Sequence, residues 1–184
     1  MNERVRTALL LAAGLLAVFL QVAWDLPRRL LATPLNLLPA LMVVAALIRP
    51  PGAWRMLAVV GGLAQDAFSA NRLGVSVVPL YLVGWVMFAW RELLLRELAF
   101  AQFILGAAAS AVVPLLTLGT LMSLGETPLL GWRQAWQWLA GAVVGGVLTP
   151  LLFQALSRLD AGFSHPTVSP AAFRTDREIL RGRY

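Results

Sequence analysis

Long apolar runs, separated by short polar or charged breaks, make up most of the chain. A bilayer has a hydrocarbon core about 30 Å thick, which about 20 helical residues cross. The pattern therefore predicts an all-α membrane protein with a six-transmembrane-helix bundle over residues 1–159 and a flexible cytoplasmic tail over residues 160–184. The predicted spans are about 7–24, 35–48, 53–68, 73–90, 99–123 and 134–157.

The composition agrees with a membrane protein and narrows its chemistry. Of the 184 residues, 59% are hydrophobic and 13% are charged, with a mean hydropathy of +0.75, whereas soluble domains average about 25% charged. The chain has no cysteine, and its one histidine, His165, lies in the tail. A disulfide, a thiolate metal site and a Ser-His-Asp triad are thereby excluded. We predict no catalytic site, no metal site and no cofactor.

The second run, at 35–48, is short enough to be a re-entrant segment instead of a full crossing. If it crosses, most of the 15 basic residues, all arginines, lie on the cytoplasmic side. If it does not, every later segment is inverted and most arginines lie outside. The positive-inside rule favours the crossing, with both termini cytoplasmic. The net charge of +6 is then explained by arginines at the cytoplasmic surface of the membrane, beside the lipid headgroups. We predict no nucleic-acid binding.

Tryptophans give a second indication of the span ends. Most of the seven lie at or near the predicted boundaries, among them Trp54, Trp90 and Trp132. Tryptophan is enriched at membrane interfaces. The tryptophan positions therefore support the same boundaries as the charges.

Asp66 lies in the apolar run of the third span. Counted from Arg55 as a cytoplasmic anchor, helical geometry raises it about 16 Å into the bilayer. Because a charge there costs roughly 2.5 to 3.5 kcal/mol, Asp66 should face protein or water. Together with Gln65 and Ser69, it either contacts a partner or ligand, or it caps a helix end or bonds a neighbouring span. The sequence leaves both interpretations open.

Three further features concern how the helices meet. Asn36, at the start of the second span, either bonds the Asp66 region or caps its own helix. Paired glycines in mid-span weaken a helix and so indicate a close neighbour. Small residues four apart permit close helix packing, for which a contact within this chain is favoured over a foreign helix. The helix-packing candidates are Gly61, Gly62, Gly106, Ser110, Gly141 and Gly145.

The stretches Pro34-Leu-Asn36, Arg49-Pro-Pro-Gly52 and Gly62-Leu-Ala-Gln-Asp-Ala-Phe-Ser69, followed by Leu73-Gly74, resemble the rod shape-determining protein MreD family. The most specific part is 62–74, where the family shows Gly-x-x-x-Asp, a serine and Leu-Gly at this spacing. The resemblance covers the hydrophobic region up to residue 157. Residues that match the motif are Gln65, Asp66, Ser69 and Gly74. Asn36 matches by position only, since family members often carry aspartate there.

The resemblance implies a fold similar to the substrate-binding (S) component of energy-coupling-factor transporters. It also implies a non-enzymatic scaffold of the bacterial cell-elongation machinery, which regulates peptidoglycan synthesis and rod shape from the inner membrane. The implied partner is the single-span protein MreC, with indirect links to MreB, RodA and a class B penicillin-binding protein. The alternative is a small-molecule-binding subunit of a vitamin-type transporter. An ion-coupled exchanger needs more intramembrane ionisable groups than these spans contain.

Overall fold

The computed structural model describes residues 3–23, 36–69, 72–92, 98–126 and 131–163. Within these ranges all regular secondary structure is helical, which confirms the all-α class for this part of the chain. The helices are α1 (Glu3–Ala23), α2 (Leu38–Ile48), α3 (Pro51–Phe68), α4 (Val77–Ala89), α5 (Ala99–Ser123) and α6 (Trp132–Phe163).

Three helices are long and apolar enough to cross a membrane: α1, α5 and α6 up to Leu159. The apolar helices α2 and α4 have 11 and 13 residues, so that they reach only about 16 and 20 Å. Helix α3 has 18 residues, but Arg55, Gln65 and Asp66 lower its hydropathy. The helices thus support a membrane protein.

Several helix boundaries differ from the prediction. Helix α4 begins at Val77, because residues 73–76 form a turn. Helix α6 continues to Phe163, past the predicted span end at 157 and the predicted domain boundary at 159. Residue 24 of the predicted first span, residue 35 of the predicted second span and the predicted tail from residue 164 lie outside the described residues.

Helix α2 forms the centre of the bundle. Its residues from Leu38 to Leu47 are all buried, and it packs against each of the other five helices. A helix that is apolar on every side requires apolar surroundings on every side. Here the protein supplies them from Leu38 to Leu47.

Successive helices run in opposite directions. The N-terminal turns of α1 and α3 line one groove at the same end of the bundle. At the other end, Arg72 before α4 lies beside Glu126 after α5, with 3.5 Å between Nε and Oε1. Asn36 before α2 and Gln134 in α6 line one cavity, also at that end. The chain therefore alternates between the two ends.

Trp54 belongs to the core and is not an interface residue. It is 0% exposed, and its ring centroid lies 5.3 Å from that of Tyr81 and 5.8 Å from that of Phe88. By contrast, Trp90 and Trp132 are exposed near helix ends, as interface residues should be. Trp54 thus joins α3 to α4 from within.

Candidate functional site

Asp66 lies in the last turn of α3 and is 1% exposed. Its Oδ2 accepts a hydrogen bond from the backbone N–H of Gly74 at 2.8 Å. The N–H of Ser76 donates to both carboxylate oxygens, at 3.1 Å to Oδ2 and 3.3 Å to Oδ1. The carboxylate therefore faces protein, and it joins the end of α3 to the turn before α4.

This carboxylate binds the amide of Ser76, the N-cap residue of α4. Ser76 occupies the N-cap position but makes no capping hydrogen bond with its own side chain. The first amides of a helix lack intrahelical acceptors, and the N-terminus carries a partial positive charge that favours an anion. Asp66 supplies both an acceptor and a negative charge from the preceding helix.

Gly74 allows the turn to present its amide to Asp66. Its φ is +97°, a left-handed conformation that L residues with a Cβ adopt only at a cost of roughly 1–2 kcal/mol. The glycine of the Leu-Gly pair is thus explained by backbone geometry.

Ser69 binds the end of α3 at the junction with α4, which we call the Asp66 corner (Asp66, Ser69, Gly74 and Ser76). Its Oγ donates to the carbonyl of Asp66 at 3.3 Å, and its N–H donates to the carbonyls of Gln65 and Asp66. The last carbonyls of α3 therefore have partners. Gln65 is half-buried, and its Oε1 has no hydrogen-bond partner among the described residues.

The glycine pair of α3 permits two close approaches. A Cβ built on Gly61 would lie 3.1 Å from Leu38 Cδ1 in α2, and one on Gly62 would lie 2.9 Å from the Val77 Cα in α4. Gly62 therefore allows α4 to begin directly against α3. The predicted close neighbour of this pair is confirmed.

Asn36 is not part of the Asp66 corner. Its Oδ1 accepts from the N–H of Leu38 at 3.3 Å, so it caps its own helix. It also lines a cavity between α2, α5 and α6. The motif residues are therefore divided between two places at the same end of the bundle.

Small residues hold α5 and α6 together. A Cβ on Gly106 would overlap the Thr149 side chain, and a Cβ on Gly145 would overlap Ser110. The hydroxyl of Thr149 donates to the Gly145 carbonyl at 2.8 Å. Around Gly141, in contrast, no heavy atom lies within 4 Å of an added Cβ. Of the two glycines in the Gly-x-x-x-Gly motif, only Gly145 forms the contact.

Within the described residues, no group of three His, Cys, Asp or Glu side chains is placed to hold a metal ion. The hydrogen bonds of Asp66 hold the end of α3 against the start of α4. Comparisons with family models, characterised proteins and solved structures found no match to this chain.

Proposed function

We propose that the protein is a non-enzymatic membrane scaffold of the MreD type, which acts in bacterial cell elongation. The observation that carries the proposal is the commitment of Asp66 to the amides of Gly74 and Ser76. A buried carboxylate held in this way stabilises a helix corner. It is poorly placed to relay protons or to coordinate a transported ion.

The proposal includes six membrane crossings. Alternating helix directions support it, as does the excess of arginine on one side. The short helix α2 needs no lipid-facing length, because protein surrounds it. Irregular backbone flanking such a helix is tolerated at membrane depth where protein covers it. Short helical segments are therefore compatible with full crossings of the chain.

A scaffold needs a rigid interior and a surface that can hold a partner. The interior is built on α2, with the Asp66 corner fixing α3 to α4. Outside it, exposed apolar side chains cover α1, α4 and α6, among them Phe19, Trp85 and Val143. The partner proposed from the sequence resemblance is the single-span MreC, with MreB, RodA and a class B penicillin-binding protein reached through it.

A vitamin-type transport subunit is the competing function. Pockets for ligands of drug or vitamin size usually measure about 300–1,000 Å³. The cavity beside Asn36 is about 150 Å³, which is too small for such a ligand. A groove of about 530 Å³ between α1 and α3 lies at the opposite end of the bundle, which the proposed topology places on the cytoplasmic side. A vitamin-binding subunit would need its cavity on the outward side. The small size of the outward cavity beside Asn36 therefore favours the scaffold.

Co-purification from the native host tests the proposal. The tagged full chain, solubilised in mild detergent, is compared with Asp66→Ala and with Glu126→Ala. The second variant is a matched control, because it removes an exposed carboxylate at the same end of the bundle. We expect a single-span protein and wall synthases with the wild type and the control, and their loss with Asp66→Ala.

Two results would count against the scaffold. Recovery of an energy-coupling module or of a bound vitamin would assign the chain to transport. Full retention of the same partners by Asp66→Ala would show that the corner does not support their binding.

A further inference from the structure

The cavity between α2, α5 and α6 is lined by polar but uncharged side chains. Around it lie Asn36, Ser110, Gln134, Gln137 and Trp138, with Pro114 and Gly141 completing the wall. None of these residues carries a formal charge, so the cavity suits a neutral group. Amides and hydroxyls both donate and accept, so a group that does the same can bind on both counts.

Pro114 adds hydrogen-bonding capacity to this wall. In an α-helix the N–H of residue i bonds the carbonyl of residue i−4. Proline has no N–H, so the carbonyl of Ser110 lacks its regular helical donor. The Ser110 hydroxyl is buried and has no hydrogen-bond partner among the described residues. Ser110, which lines the cavity, thus has a hydroxyl without a partner among the described residues and a carbonyl without its regular helical donor.

The size of the cavity restricts its occupant. A volume of about 150 Å³ corresponds to roughly five water molecules at about 30 Å³ each. That is room for one short side chain, and too little for a ligand of vitamin size. Asn36, Gln134 and Trp138 are half-buried, so the cavity can be reached from outside.

We propose that this cavity is the socket in which a partner protein inserts one uncharged amide or hydroxyl side chain. The inference rests on the proposed scaffold function and adds a location to it. The socket lies at the same end of the bundle as the Asp66 corner, so a partner segment entering there engages α2, α5 and α6. Neutral polar contacts then set the register of a partner that apolar surface alone would leave free to slide.

The absence of cysteine makes single-cysteine labelling a clean test. Gln134→Cys places a thiol in the socket wall, and Arg133→Cys, at an exposed neighbouring position, is the control. Both chains are labelled with a membrane-impermeant maleimide, alone and in the complex with the co-purified single-span protein. Partner binding should slow labelling at 134 about tenfold, as expected when the partner exceeds its dissociation constant about tenfold. Labelling at 133 should stay unchanged.

A second comparison tests the hydrogen bonding. Gln134→Leu should weaken partner binding about fivefold, the usual net effect of one hydrogen bond. Gln154→Leu is the same substitution at an exposed position near the other end of α6, and should leave binding unchanged. Unchanged binding by Gln134→Leu would argue against a polar contact there.

Other results separate the two proposals. A complex that forms while position 134 labels at its free rate overturns the socket and leaves the scaffold standing. Protection at 134 in the chain alone that disappears on dialysis would identify a free solute as the occupant, which also overturns the socket. If no partner co-purifies, the scaffold proposal is contradicted, and the socket proposal, which depends on it, is contradicted as well.

Discussion

The carboxylate of Asp66 and the backbone N–H of Gly74 lie 2.8 Å apart, although eight residues separate them in the chain. The bond closes the corner between α3 and α4. It is partly buried, and the buried N–H of Ser76 binds the same carboxylate. One side chain thus links the last turn of α3 to the start of α4.

Replacing Asp66 with alanine should lower the free energy of unfolding by roughly 1–3 kcal/mol, the cost of leaving a buried donor such as the Ser76 N–H unpaired. The stability of Asp66→Asn should lie between that of the wild type and that of Asp66→Ala, because the amide oxygen of asparagine keeps one acceptor. Thermal unfolding in a single detergent measures the difference. Glu126→Ala is the control, because an exposed ion pair contributes less than about 1 kcal/mol. Equal losses of stability for Asp66→Ala and Glu126→Ala would show that the hydrogen bonds of Asp66 do not stabilise the protein.

Gly74→Ala should destabilise the protein by roughly 1–2 kcal/mol, the cost of a left-handed conformation for a residue with a Cβ. Gly119→Ala, in the body of α5, has open space around the added Cβ. It should stabilise the helix by up to about 1 kcal/mol. The two variants are compared by the same unfolding measurement. A Gly74→Ala protein as stable as wild type would show that this turn relaxes at no cost.

The two glycines of the α6 motif should respond differently to the same change. Gly145→Ala should cost roughly 1–3 kcal/mol, the usual penalty of overpacking, because the new Cβ overlaps Ser110. Gly141→Ala meets no atom within 4 Å and should be neutral or slightly stabilising. Matched losses at both positions would mean that α6 packs through its whole motif.

Single cysteines should report the alternation of the helices across the membrane. In intact cells, a membrane-impermeant maleimide should label cysteines replacing Arg72 and Glu126. Cysteines replacing Arg4 and Gly52 should label only after permeabilisation. All four positions are exposed, so differences reflect the side of the membrane. Labelling of Gly52→Cys in intact cells would show that the segment through α2 does not cross.

The sequence indicated that Asp66 should avoid lipid, because the cost of a charge there is high. It did not indicate which atoms would bind the carboxylate. Those atoms are backbone amides, and their positions depend on the φ of +97° at Gly74. Backbone amides leave no trace in the pattern of side chains. The sequence was therefore equally compatible with an Asp66 that contacts a partner or ligand and with an Asp66 that caps a helix end.

The central position of α2 could not be predicted from its composition. A stretch that is apolar on all sides suits lipid and protein surroundings equally well. The position of Trp54 near a helix end predicts an interface residue, but that position does not show which way the ring points, and the ring is buried. The cavity beside Asn36 could not be predicted from the sequence either, because Ser110, Gln134 and Trp138 are brought together only by the packing of α5 on α6.

The most direct test of the proposed function is the shape of host cells depleted of the chain. The account predicts that depleted cells lose their rod shape and become round. Wild-type protein and Glu126→Ala should restore the length-to-width ratio at matched expression, and Asp66→Ala should not. Depleted cells that remain rods while losing uptake of a vitamin would contradict the scaffold and assign the protein to transport.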